Sequence, residues 1–129
     1  MATMTEQVAL DRIGQIAIRA TDIARAVQFY RDTLGMRFLF QVPNLAFFDC
    51  GGVRLMLSGA ESPEFDHPGS VLYYKVSDID ASYEALRKRG VQFIDQPHLI
   101  AKMEDHDLWM VFFRDSEGNT LSLMCEKRR

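Results

Sequence analysis

The sequence predicts an α+β fold made of two tandem β-α-β-β-β modules, and three observations predict it. A strand–helix–strand pattern over residues 13–38 recurs about 56 residues later. Asp22-Ile23 and Asp78-Ile79 stand at the same place in each copy, and a glycine, Gly35 or Gly90, closes each helix. Each half then ends in a further strand entered through a glycine turn: Cys50-Gly-Gly-Val-Arg-Leu-Met-Leu57 in the first and Asp115-Ser-Glu-Gly-Asn-Thr-Leu-Ser-Leu-Met124 in the second. An internal repeat of this length marks a supersecondary unit that completes its core against a neighbour.

Taken in order, Ile13 to Arg19 is β-branched and alternating, which predicts a strand. Thr21-Asp22 supplies a helix N-cap, and Ile23, Ala26, Val27, Tyr30 and Leu34 recur at helical spacing up to Gly35. Met36 to Phe40 resumes as a strand, Pro43-Asn44 makes a turn, and Ala46 to Cys50 leads into Gly51-Gly52. Val53, Leu55 and Leu57 alternate with Arg54, Met56 and Ser58 in the strand that follows. Residues 59–69 are the clearest linker. Module one spans about 11–58 and module two 70–125, within one domain of 129 residues. In the second copy Val71 to Val76 is the strand, Ser77-Asp78 the cap, Ile79, Tyr83 and Leu86 the helical face, and Val91 to Ile94 the next strand. Residues 95–107 read as a polar loop entering the apolar strand Leu108 to Phe113. Met1 to Leu10 shows little pattern.

Composition narrows the partners. A hydrophobic content of 47% with 26% charged residues is that of a globular protein. A net charge of -3 with no basic stripe argues against nucleic acid. No apolar run approaches the roughly 20 residues of a membrane span. Cys50 and Cys125, with no signal peptide, predict free thiols in a reducing, cytoplasmic setting.

Phe29-Tyr30, Leu34-Gly35-Met36 and the closing Phe113-Arg-Asp-Ser-Glu-Gly-Asn119, set in two such modules, resemble the vicinal oxygen chelate superfamily of glyoxalases, extradiol dioxygenases and bleomycin-resistance proteins. The resemblance runs from Ile13 to Met124. It implies that the modules curl into a mixed-sheet cup and that two chains form a homodimer. It also implies a divalent metal held by one side chain from each of four strands, here Gln15, Leu55, Val71 and Ser122. Leu55 and Val71 have no donor atoms, and a metal site needs three or four nitrogen, sulfur or oxygen ligands. The expectation is therefore no metal and no cofactor. In its place the cup takes a small organic molecule, lined by Gln15, Ala17 and Arg19; Val53, Leu55 and Leu57; Val71, Tyr73 and Lys75; and Thr120, Ser122 and Met124. Arg19 either clamps a carboxylate or phosphate or pairs with an acidic residue at the rim.

The stretch Gln96 to Trp109 carries the densest chemistry. His98 is a general acid–base candidate, with Glu104 or Asp105 orienting its ring, or else a structural histidine. A second arrangement would gather His98, Glu104 and His106 around a metal. Trp109 and the phenylalanines at 40, 47, 48, 112 and 113 stack on an aromatic ligand or pack in the core or a dimer interface. Two functions follow: a glyoxalase-like lyase or isomerase working by proton transfer without a metal, and a non-catalytic protein that sequesters a small molecule.

Overall fold

The computed structural model describes residues 8–59 and 69–129; the linker's middle, with His67, and the first seven residues lie outside the described residues. The first sheet has the order β1-β4-β3-β2, with β1 Gln15–Arg19, β2 Arg37–Val42, β3 Leu45–Cys50 and β4 Val53–Ser58. β1 runs parallel to β4, and β2, β3 and β4 pair antiparallel. The β3–β4 hairpin turns on Gly51 and Gly52 alone, both at positive φ (61° and 93°), as a two-residue turn with a primed geometry requires.

The second sheet repeats this plan. β5 (Leu72–Lys75) is parallel to β9 (Thr120–Arg128), β9 pairs with β8 (His106–Arg114), and β8 carries the next strand on its outer edge. That strand is broken into β6 (Gln92–Phe93) and β7 (His98–Lys102). Between them Asp95 Oδ1 accepts from the Phe112 N–H at 2.9 Å, and Pro97 has no N–H to give a ladder. Residues 98–102 are thus strand where the sequence reading expected loop. Pro97 and a register shift between Leu99 and Ala101 interrupt the alternation that would have revealed it.

The helices are related by the same repeat but differ by one residue. α1 (Ile23–Gln28) and α2 (Ile79–Lys88) start on Asp22 and Asp78, whose carboxylates accept from the Arg25 and Ala81 N–H groups at 3.0 Å. Gly35 stands 12 residues beyond Ile23, whereas Gly90 stands 11 beyond Ile79, and both have positive φ. The extra residue is absorbed in a π-helical turn over Phe29–Thr33, where the Leu34 N–H reaches back to the Phe29 carbonyl at 2.9 Å.

Ile18, Leu55, Leu57, Phe48, Val111, Phe113, Leu121 and Leu123 form one buried cluster with Ala26, Val27 and Tyr30 of the first helix and Ile79 of the second. Each sheet therefore turns one face to a shared core and the other away from it.

Polar contacts tie the modules together at one end. In the β8–β9 turn, Glu117 accepts from the Thr21 hydroxyl (2.9 Å), the Asp22 N–H (2.8 Å) and the Arg25 guanidinium (2.8 Å). Asp115 accepts from the Tyr30 hydroxyl at 2.7 Å and from its own turn's Glu117 and Asn119 N–H groups. Asn119 then donates to the Arg19 carbonyl at 2.8 Å. Burial alone would raise the Glu117 carboxyl, but hydrogen bonds from Arg25, the Asp22 N–H, Thr21 and Ser116 outweigh it and hold the pKa at about 2, against an ordinary 4.5. A carboxyl depressed on folding stabilises the fold above its unfolded pKa, and that stability is lost as pH falls from 4.5 towards about 2. Urea titrations across that interval should show the loss, worth about 2–3 kcal/mol. Glu117→Gln should be destabilised by a similar amount at neutral pH and show a flatter acid limb. An unchanged pH profile would show that Glu117 does not hold the modules together.

Candidate functional site

Residues paired across a ladder share a face, so register and burial together separate the core face from the cup face. In the first sheet Ile16, Leu55 and Phe48 form one row and Ile18, Leu57 and Ala46 another, and both face the core. The cup face carries the rows Gln15–Arg54–Asp49–Arg37, Ala17–Met56–Phe47–Phe40 and Arg19–Ser58–Leu45–Val42. In the second sheet the cup face carries Tyr73–Ser122–Phe112 and Lys75–Met124–Met110–His98. β1 and β5 lie along a seam, where residues of both strands line two hollows of 390 and 170 Å³.

The expected site residues separate on this frame. Gln15 is exposed on the cup face, with its amide oxygen accepting from Arg54 Nε at 2.7 Å. Arg19 and Val71 border the larger seam hollow together with Thr120 and Arg114. Tyr73 lies on the cup face, 47% exposed and edge-on to Phe112.

Leu55 does not join them: it is 2% exposed, with its side chain in the core and against the narrow seam hollow. The two-residue turn causes this. It pairs Val53 with Cys50, sends the apolar trio Val53, Leu55 and Leu57 inward, and leaves Arg54, Met56 and Ser58 for the cup. Ser122 is on the expected face but fully buried, and its hydroxyl is directed at the Val111 and Leu123 carbonyls (3.1 and 3.0 Å). Trp109 belongs to the core face of β8, paired with Leu99 and Cys125, with Lys127 Nζ 4.1 Å from its ring centroid.

His98 reaches the cup face on the outermost strand. Its Nδ1 stands 2.7 Å from the Gln96 carbonyl and 3.8 Å from Asp95. A carbonyl only accepts, so Nδ1 carries a proton, and in the neutral imidazole Nε2 keeps the lone pair. Glu104 does not orient this ring. It lies in the exposed β7–β8 hairpin, six residues along the strand, or roughly 20 Å at the usual rise. His106 pairs instead with Asp105 at 2.7 Å, so His98, Glu104 and His106 do not converge. Among the described residues no group of three or more His, Cys, Asp or Glu side chains could hold a metal ion. Cys50 and Cys125 are free thiols.

The cup-face residues that sequence reading missed are Met56 and Met110. The signal for Met56 was present in Gly51-Gly52, since a two-residue hairpin fixes the partners of every residue after it. For Met110 on β8 no such marker exists, because Leu108 to Phe113 is apolar throughout.

Two four-stranded plans of this topology, with a cup face formed about β1, β4, β5 and β9, define a glyoxalase-type protein. The family model for the Glyoxalase/Bleomycin resistance protein/Dioxygenase superfamily matches residues 12–123, and the chain belongs to that superfamily. It is similar to a glyoxylase-like domain-containing protein of Didymella fabae, 31% identical over 84% of this chain and 89% of the relative. It is also similar to the metallothiol transferase FosB of Staphylococcus haemolyticus, 26% identical over 86% of this chain and 81% of that one. In fold it matches a glyoxalase/bleomycin resistance protein/dioxygenase from Nocardioides, with a TM-score of 0.77 and 23% identity over 94% of this chain and 87% of the other.

The register has a direct test. Leu55→Ala should cost about 2–5 kcal/mol of stability, as for other buried leucines, while Met56→Ala next to it should cost less than about 1 kcal/mol. Chemical denaturation of the two variants reads the difference. Equal losses would overturn the assignment of faces.

Proposed function

We propose that this chain binds a small organic molecule against the cup face without a resident metal. The chemistry of the four positions at which the family holds its metal carries the reading. Gln15 offers only an amide oxygen already accepting from Arg54, Leu55 turns into the core, Val71 has no donor, and the Ser122 hydroxyl is spent on backbone carbonyls. These residues do not fit a divalent cation. What surrounds them does suit an organic body: Met56, Phe47, Phe40, Tyr73, Phe112, Met110 and Met124, several of them partly exposed. Thioethers and aromatic rings adapt to apolar ligands of varied shape.

A second reading, proton transfer to or from that molecule, rests on His98. Its Nδ1 hydrogen bond leaves Nε2 as a base on the cup side of the sheet, in the row of Met110 and Met124. The same ring is also adequately explained as a tether for the Pro97 break.

One experiment addresses both readings. Binding of the apolar fluorophore 1-anilinonaphthalene-8-sulfonate should be unchanged after chelator dialysis and weakened tenfold or more by Met110→Glu. Affinity that collapses on chelation and returns with zinc would sink the metal-free reading. His98→Gln should change affinity by no more than about tenfold if the ring only hydrogen-bonds. If it is the acid–base, turnover of a carbonyl substrate should fall by roughly 100- to 10,000-fold.

A homodimer is part of this proposal. The outer strands β2 and β7 leave Leu39, Phe40, Val42, Leu99 and Ile100 40–49% exposed, and Ile94 just before β7 is 51% exposed. Open strand edges with apolar side chains invite a second copy. Sedimentation at micromolar concentration should return twice the mass of 14.8 kDa; a monomer alone would refute it.

A further inference from the structure

We propose that the hollow between α2 and the β3–β4 turn is a second small-molecule site, on the helix side of the sheets, for a compact apolar carboxylate. It has a volume of 470 Å³, within the range of roughly 300–1,000 Å³ usual for small-molecule pockets. Its walls are Met36, Cys50, Tyr74, Leu86 and Phe113, with Ser82, Ala85 and Arg89 continuing the α2 side. It lies behind the sheets, away from the cup.

The hollow exists because the internal repeat is unequal. On one side of the molecule, the face of the first helix that carries Ala26 and Tyr30 meets a five-residue turn, Asp115 to Asn119. Two carboxylates fill the space and engage Tyr30, Thr21 and Arg25. On the related side, Ser82, Ala85, Leu86 and Arg89 share one face of α2, at the spacing i, i+3, i+4, i+7. They meet a turn of only Gly51 and Gly52, which carries no side chain. Leu86, at the place of Tyr30 in the repeat, brings no hydroxyl, and Ala85 is left exposed. The space that Asp115 and Glu117 fill on one side is open on the other.

Three features select the ligand. The side walls are mostly hydrocarbon and aromatic, which suits a ring or branched chain. Tyr74 stands between this hollow and the 170 Å³ seam hollow, and its hydroxyl is the one buried side-chain hydroxyl among the described residues without a hydrogen-bond partner. A buried phenol without an acceptor is favourably matched by a ligand oxygen. Burial, with Cys50 and Asp115 nearby, keeps this phenol well above its ordinary value, so it offers a proton rather than a charge. Finally, Arg89 on the α2 side brings a guanidinium to the border of the hollow, while Arg37 and Asp49, also at its border, belong to a cup-face row and offset each other, which leaves a positive balance for an anion.

Phenylacetate is the probe, titrated into the ¹⁵N-labelled protein and followed by amide shifts. Saturable shifts are expected at Cys50, Gly51, Ser82, Ala85 and Leu86. Ala85→Phe, which fills the hollow from an exposed helix position, should abolish them while leaving the cup amides of Tyr73 and Met110 in place. Tyr74→Phe should weaken binding about tenfold. The proposal is overturned if the shifts fall only on cup residues, if none appears at α2, or if Ala85→Phe changes nothing. A dimer that buries the Ser82–Ala85–Arg89 face would overturn it too. Because the readout is residue-specific, failure here leaves the cup reading standing, and failure at the cup leaves this one.

Discussion

Glu117 belongs to the second module, yet most of the donors that keep its buried carboxylate charged belong to the first. Thr21, the Asp22 N–H and Arg25 all sit where α1 begins, so the start of that helix and the β8–β9 turn determine each other. Asp115 and Tyr30 repeat the arrangement one turn further on. A buried carboxylate deprived of its partners costs several kcal/mol, so the modules cannot slide apart locally while the chain stays folded. The core faces of both sheets are closed against each other by this constraint, and with them the direction of the cup.

The internal repeat is close to symmetric in topology and unequal in chemistry. Both halves begin with a parallel pair, cap their helices with aspartate and close them with a glycine at positive φ. They differ in turn length, helix length and the composition of the faces left uncovered. Duplicated scaffolds commonly hold their backbone while their loops diverge, because the backbone plan is fixed by packing and the loops are not.

Much of the fold was legible because its signals are local. Aspartate before isoleucine, glycine after the last helical residue, and β-branched alternation in Ile13 to Arg19 each depend on a few neighbouring residues. β7 was not legible, since Pro97 and the shift between Leu99 and Ala101 erase the period of two that marks a strand. The site was read less well for a different reason. Assigning Leu55 to the cup or to the core turns on a single step of register, which flips every side chain in β4. His98 was read in a loop and Trp109 at the start of the strand it enters, yet they occupy opposite faces of paired strands. No property of either residue alone distinguishes those outcomes.

The π-helical turn over Phe29–Thr33 makes the first helix tolerant in a way the second is not. Its ends are pinned at Asp22 and Gly35, and it holds one residue more than α2 needs for the same span. Loss of that residue would relax the segment to ordinary α-helix without moving either end. Tyr30, eight residues past its cap like Leu86, would keep its place, because the surplus residue lies after it, in the turn that the Leu34 N–H closes on the Phe29 carbonyl. The surplus residue is in effect slack between the helix and Gly35. It lets the length of that exit vary by one without disturbing the ring that Asp115 holds.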